Sequence, residues 1–323
     1  MTIPTRSPSV RRSALVSSVT AGLVTALVAT APAGAAAKRV VALEWSAVEN
    51  LTALGVTPVG AADLRGYDAY VGQKRSSKIT DVGTRTLPSE QRIRDLEPDL
   101  IITTDQRSSG QATGELARYR SIAPVLVMKP YPAGTKSSKS LQYRQMVKDF
   151  KATAKAVGKE SQGKKVLSRM TRTFKSAKKK LKQRKRLGER VVVTTPGGDP
   201  SNPALRLFTD NSLAAEIVRK VGLKNAWRKP KKGAGNTVYG FTDGGPESLV
   251  NITKREWFLF TYPEQHRKQI QRYRTQSAFA KLPVVRARRY RNLDGQTWFF
   301  GGPLSTMKAA KEISNAVRRG VAL

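Results

Sequence analysis

The chain has 323 residues, with 59 Lys plus Arg against 23 Asp plus Glu, one histidine and no cysteine, for a formal net charge of +36 and a pI near 10.9. Hydrophobic residues make up 39%, enough to pack a core, which excludes wholesale disorder. The absence of cysteine excludes disulfides, thiolate zinc sites, iron–sulfur ligation, a cysteine nucleophile and a lipoprotein anchor; the single histidine, His266, excludes a multi-histidine metal centre.

The first predicted element is an export signal. Arg6, Arg11 and Arg12 precede a charge-free stretch from Ser13 to Ala37 that ends in Ala-x-Ala, at Ala33–Ala35 or Ala35–Ala37. Ser17, Ser18, Thr20, Thr25 and Thr30 make the stretch too polar for a comfortable membrane span, so cleavage is expected rather than anchoring. The Arg11-Arg12 pair leaves twin-arginine export open. Removing residues 1–37 takes three arginines and no acid, which lowers +36 to +33. The charge excess belongs to the exported protein.

Residues 38–140 read as one α/β lobe. Arg39–Leu43 is a short buried strand, and Ser46 is placed to cap a helix carrying Val48, Leu51 and Leu54, which Gly55 ends. Val56–Gly60 starts the next extended piece. Ser89 opens a helix to Leu96, and Leu100–Thr104 and Pro124–Met128 read as strands. Short strands alternating with helices predict a mainly parallel sheet.

From 141 to 188 the pattern changes. No proline occurs, Gly158 and Gly163 interrupt, and Val166, Met170, Phe174, Ala177 and Leu181 recur at three- and four-residue spacing. The expectation is a long connecting helix, broken near the glycines, with one apolar face. Residues 189–323 return to alternation: Arg190–Thr195 as strand, Ser212–Val221 as helix, Trp257–Tyr262 as strand and a terminal helix from Ser305 to Arg318. The predicted fold class is therefore α/β, two lobes with mainly parallel sheets joined by one long helix.

Enzyme signatures are missing: no GxxxxGK[ST], GxGxxG after a strand, HExxH or GxSxG is present. His266 sits in the polar run Glu264-Gln265-His266-Arg267 and reads as a surface residue rather than a catalytic base. The basic run Lys164–Arg190 could contact phosphates, but it lacks aromatic residues for base stacking, so a solvated helix face is expected and no nucleic-acid partner.

At VALEW (Val41–Trp45), LTALGVTPVGAAD (Leu51–Asp63) and DVGTRTLPS (Asp81–Ser89) the chain resembles the ferric hydroxamate siderophore-binding proteins of ABC importers, the ferrichrome-binding type. The resemblance continues in order through LEPDLII (Leu96–Ile102), IAPV (Ile122–Val125), NAW (Asn225–Trp227) and LPVVRARRY (Leu282–Tyr290) to TWFFGGPLSTM (Thr297–Met307). It implies a monomeric, non-enzymatic receptor that takes a ferric siderophore in an interlobe cleft and delivers it to an importer permease. It needs no cofactor and no protein metal ligand, because the siderophore fills the iron's coordination sphere. Arg85 matches the arginine that hydrogen-bonds the chelating oxygens, and Tyr70, Tyr239, Trp298, Phe299 and Phe300 match aromatic positions lining the cleft. Two positions depart from the family: Arg107 stands for a tyrosine and Thr103 for a tryptophan. A second guanidinium there points to a more anionic range of ligands. Glu115 and Glu247 match the acids that dock the permease, and cobalamin or haem is the alternative ligand within the same fold. A polyanion-binding protein using the basic helix is the alternative of a different class. For an exported protein at +33, retention on an anionic cell envelope surface is the expected role of the excess charge.

Overall fold

The computed structural model describes residues 36–105, 113–132, 141–197, 204–227, 239–244, 246–268, 271 and 277–320. The expected export signal and Arg107 lie outside these residues, as does the side chain of Glu247.

The first sheet is wholly parallel, in the order β3-β2-β1-β4-β5. Its strands are β1 (Val40–Ala42), β2 (Gly60–Ala61), β3 (Thr80–Asp81), β4 (Leu100–Thr104) and β5 (Val125–Met128). β1 and β4 sit at its centre and are buried along their whole length, which is why both read as unbroken apolar or β-branched runs. Four helices accompany them: α1 (Trp45–Ala53), α2 (Leu64–Tyr70), α3 (Glu90–Asp95) and α4 (Thr113–Arg120). Ser89 caps α3 as expected, its hydroxyl accepting from the Arg92 amide at 3.3 Å. Ser46 does not cap α1. The helix starts one residue earlier, with Glu44 extended and its carboxylate accepting from the Trp45 amide at 2.9 Å. The early start brings the Trp45 indole N–H to the Asp63 carbonyl at 2.9 Å.

The connecting segment is two helices, α5 (Leu141–Ala156) and α6 (Glu160–Gln183). The break falls at Gly158, whose φ of +62° is a conformation that glycine reaches without steric cost. Gly163 remains inside α6 and lets it approach Ala154 closely; a Cβ there would lie 3.0 Å from the Ala154 side chain. Val166, Met170, Phe174, Ala177 and Leu181 are all buried, so the predicted apolar face is the one that packs.

The second sheet is mixed. β11 (Tyr290–Asn292), β10 (Glu256–Phe260) and β6 (Arg190–Gly197) run parallel, followed by β7 (Ala204–Phe208) and β9 (Phe241–Gly244) antiparallel, while β8 (Lys224–Asn225) pairs with β6. The antiparallel pair was not foreseen, because its strands are four or five residues long and carry polar residues midway. Helix α7 (Leu213–Lys220), two short helices α8 (Ser277–Lys281) and α9 (Pro283–Arg286), and the terminal α10 (Pro303–Arg318) complete the lobe. Trp257, fully buried, lies in the core between this sheet and the helices α6, α7 and α10.

Candidate functional site in the interlobe cleft

The DVGTR turn builds one end of the site. The Asp81 carboxylate accepts from the Gly83 amide at 2.7 Å, Gly83 turns with φ +106°, and its carbonyl accepts from the Asp63 amide at 2.7 Å. A side chain at Gly83 would be strained by that φ and would meet the Leu87 carbonyl at 3.2 Å. The turn sends Arg85 back over the Trp45 ring, with its guanidinium carbon 3.4 Å from the ring centre. Arg85 donates to Glu44 at 2.7 Å and to Asp63 at 3.3 Å while keeping about a fifth of its side chain exposed. Asp63 is itself held in place, in the left-handed region at φ 55°, with its carboxylate accepting from the Gly66 amide at 3.1 Å.

From Arg85 an aromatic band crosses between the lobes. Trp45 stacks on Tyr70 at 5.4 Å and meets Trp298 edge-on at 5.3 Å; Trp298 reaches Phe300 at 5.0 Å. Phe300 touches Tyr131 and Phe241 at 6.2 and 5.9 Å, and Tyr239 lies between those two, 5.0 Å from Tyr131 and 6.0 Å from Phe241. A turn at residues 299–300, just before the terminal helix, sends Trp298, Phe299 and Phe300 to different sides. Trp298 and Phe300 are half-buried in the band, whereas Phe299 points into the second lobe's core, 5.1 Å from Phe208. Phe299 reaches the cleft only through a small cavity of about 30 Å³ beneath Tyr131, which it lines with Asn50, Gln142 and Asp149.

The far end of the band holds Arg206, which the sequence reading passed over. It sits on β7 with its guanidinium carbon 4.9 Å from the Phe241 ring centre and its Nε 3.9 Å from the carboxylate of Asp243, its register partner on β9. Its buried Nε has no hydrogen-bond partner among the described residues. A charged residue inside the apolar strand ALRLF is the signal that could have singled it out. Burial raises the Tyr70 phenol above its ordinary value, opposed by the Gln265 hydrogen bond and then by the charges of Arg206 and Arg85. Tyr70 thus feels both guanidiniums.

His266 is not on the surface. The turn Glu264–His266 tucks the imidazole between the lobes, 7% exposed, with Nε2 2.7 Å from the Tyr70 hydroxyl, and Gln265 donates to the same oxygen at 2.8 Å. Its polar neighbours in sequence, Glu264, Gln265 and Arg267, do face solvent. That alternation hid the buried histidine.

Two buried carboxylates sit behind the band. Glu49 of α1 is fully buried and accepts from the amide and the hydroxyl of Ser305, at 2.8 and 2.6 Å. It thereby caps α10 from the other lobe. Gly301 and Gly302 leave room for it; a Cβ at Gly301 would fall 2.4 Å from the Glu49 carboxylate. Burial raises Glu49 above the usual carboxylate range despite these donors. Asp149 is pushed up to about 6, chiefly by burial, against hydrogen bonds from Gln145 and the Lys129 amide.

Among the other expected residues, Glu115 is half-buried on α4 and Thr103 is fully buried in β4, away from solvent. Among the described residues no group of three or more His, Cys, Asp or Glu could hold a metal ion, and no helix is long and apolar enough to cross a membrane. What the cleft offers is flat aromatic surface with a guanidinium at each end, suited to a bulky ligand with an apolar body and clustered oxygens.

The family described as periplasmic binding proteins matches residues 40–297. The chain is 27% identical over 281 residues to the iron(3+)-hydroxamate-binding protein FhuD of Escherichia coli, covering 86% of each chain. It is also 27% identical over 282 residues to the Fe(3+)-citrate-binding protein YfmC of Bacillus subtilis, covering 87% of this chain and 81% of that one. Its structure is similar to that of the siderophore-binding protein FhuD from Vibrio cholerae bound to Fe3+–Desferal, with a TM-score of 0.75 and 26% identity over 88% of this chain and 99% of that one. Those relatives and the cleft between two α/β lobes agree with a family match that covers most of the sequence, and the chain belongs to the periplasmic binding protein family.

Proposed function

We propose that the protein is an extracytoplasmic solute-binding protein that captures a ferric siderophore in the interlobe cleft and delivers it to the permease of an ABC importer. It performs no chemistry of its own and leaves the iron to the siderophore. The observation that carries this reading is the aromatic band closed by Arg85 at one end and Arg206 at the other. In the proposal Arg85 donates to the chelating oxygens, while Tyr70, Tyr239, Trp298 and Phe300 bear on the body of the chelate and Phe299 supports them from the core. Arg107, which lies outside the described residues, is assigned to ligand contact as well.

Charge sharpens the ligand class. Among the described cleft residues, Arg85 is set against Glu44 and Asp63, and Arg206 against Asp243. Two guanidiniums face three carboxylates on a protein whose formal charge is +36. Within the described part of the cleft the carboxylates outnumber the guanidiniums, which favours a neutral or cationic ferric hydroxamate, whereas Arg107, outside the described residues, points to a more anionic range. Two relatives agree with a hydroxamate, the iron(3+)-hydroxamate-binding protein of Escherichia coli and the Vibrio cholerae protein bound to Fe3+–Desferal, while the Bacillus subtilis relative binds Fe(3+)-citrate.

A panel titration tests the proposal, following quenching of the cleft tryptophans Trp45 and Trp298 by ferrioxamine B, ferric citrate, cobalamin and haem. Saturable micromolar or tighter quenching by ferrioxamine B is expected, with ferric citrate weaker. Binding of cobalamin or haem without any ferric siderophore would overturn it. Glu115 and Glu247 are assigned to permease docking, where charge sets orientation and encounter rate more than affinity. Glu115→Arg together with Glu247→Arg should abolish siderophore-dependent uptake in cells while leaving the titration unchanged; normal uptake by the double variant would refute the assignment.

A further inference from the structure

Positive charge collects on another face. Helix α6 carries nine Lys and Arg against one acid, Glu160, and its apolar side is buried in the core. Arg169, Arg172, Ser176 and Lys180 form one stripe along it. Lys311 and Asn315 of α10 close a groove of about 320 Å³ against that stripe. Arg169 to Lys180 spans about 16 Å of helix axis, so the cations are strung along the groove rather than gathered at one point. Several arginines elsewhere find carboxylates: Arg75, Arg118, Arg186, Arg190, Arg219 and Arg289 make ion pairs. Among the described residues none of Arg169, Arg172, Lys180 and Lys311 does; Arg172 donates to the Ser168 hydroxyl at 2.8 Å. Glu312, half-buried on α10, is the acid nearest in sequence to Lys311.

We propose that this groove is a second binding site, for a linear phosphate-bearing polyanion of the cell envelope, which holds the exported protein at that surface while the cleft remains free. The groove shares no residue with the cleft. Its concave, two-helix construction suits a strand-like polymer better than a planar bilayer. A membrane-surface helix inserts its apolar face, and here that face is occupied by the protein's own core. No aromatic side chain lines the groove, so nothing there would stack a nucleobase. Ser176 and Asn315 add uncharged donors between the cations, which phosphate oxygens accept as readily as they accept from lysine.

End-labelled long-chain polyphosphate is the probe, with anisotropy read on the exported protein at about 0.15 M salt. The groove variant combines Arg169→Gln, Arg172→Gln, Lys180→Gln and Lys311→Gln. A control removes the same charge at exposed sites elsewhere, through Lys74→Gln, Lys78→Gln, Lys224→Gln and Lys254→Gln. The groove variant should lose at least about tenfold in affinity and flatten the log–log salt slope by about 3, while the control loses less than about threefold. Both should keep ferrioxamine B quenching unchanged. Equal losses in the two variants would overturn the proposal. So would groove-dependent binding to phosphatidylglycerol vesicles without binding to polyphosphate. A footprint on the unmodified protein gives an independent reading: polyphosphate should protect Lys180 and Lys311 from acetylation more than Lys74 and Lys254, and equal protection would also sink the site.

Discussion

Arg85→Ala is expected to weaken ferric hydroxamate binding by about 30-fold, and Arg85→Lys by roughly fivefold. A hydrogen bond to a charged group contributes about 1.5–3 kcal/mol, and about 2 kcal/mol corresponds to a factor of about 30 in Kd. Arg85 is already set in place by Glu44 at 2.7 Å and Asp63 at 3.3 Å and by the Trp45 face beneath it, so little ordering is left to pay on binding. Alanine removes that donor and also leaves two carboxylates facing the ligand's oxygens, which adds repulsion to the lost contact. Lysine restores the charge but cannot reach both acids and the ligand with one ammonium. Calorimetry is the suitable measurement, because removing a cation from the Trp45 face alters the fluorescence itself. Affinity of the alanine variant within twofold of the parent would remove Arg85 from the site.

The second large effect concerns the clamp between the lobes. Glu49→Ala should destabilise the protein by about 3 kcal/mol, because it leaves the Ser305 amide and hydroxyl buried without an acceptor and empties the space of the side chain. In a chain of this size that lowers Tm by roughly 5 °C. Glu49→Gln keeps an acceptor for Ser305 and fills the same space, so it should cost far less than alanine. The pH dependence carries a definite sign. Glu49 and Asp149 both hold protons more tightly when folded, Asp149 to about 6 against 3.8. Their contribution is therefore fully present below the unfolded value and is lost as pH rises through the folded one. Asp149→Asn should flatten the decline in Tm between pH 3.8 and about 6; an unchanged slope in that variant would show that other groups set it.

Fixing α10 from the opposite lobe also bears on function. Trp298 and Phe300 lie a few residues before the capped end of α10, so Glu49 holds the second lobe's share of the aromatic band in register with Trp45 and Tyr70. A ligand then meets a preformed surface, and less ordering is charged against binding. The broken α5–α6 connection runs beside this contact rather than acting alone as a hinge.

Much of this was legible in the chain itself. Hydrophobic period placed β1, β4, β6 and β10 and the buried face of α6, because burial of one strand or one helical stripe writes itself into neighbouring residues. Arg85 was singled out by the resemblance of its DVGTR motif to the family, and the turn that carries it is local, with Gly83 at positive φ and the Asp81 carboxylate accepting its amide. Net charge and its clustering on α6 could be counted directly. The rest depended on residues far apart. Glu49 meets Ser305 across 256 positions and Tyr70 meets His266 across 196, while Arg206 lies at the end of a band begun by Arg85. No period or spacing encodes such pairs, because they form only when two separately folded lobes are packed together. Composition settled that the protein is strongly basic and free of cysteine; only the tertiary structure decided how that charge is distributed among the described residues, because it alone sets three carboxylates beside the two guanidiniums of the aromatic band and turns Lys180 and Lys311 to a separate groove.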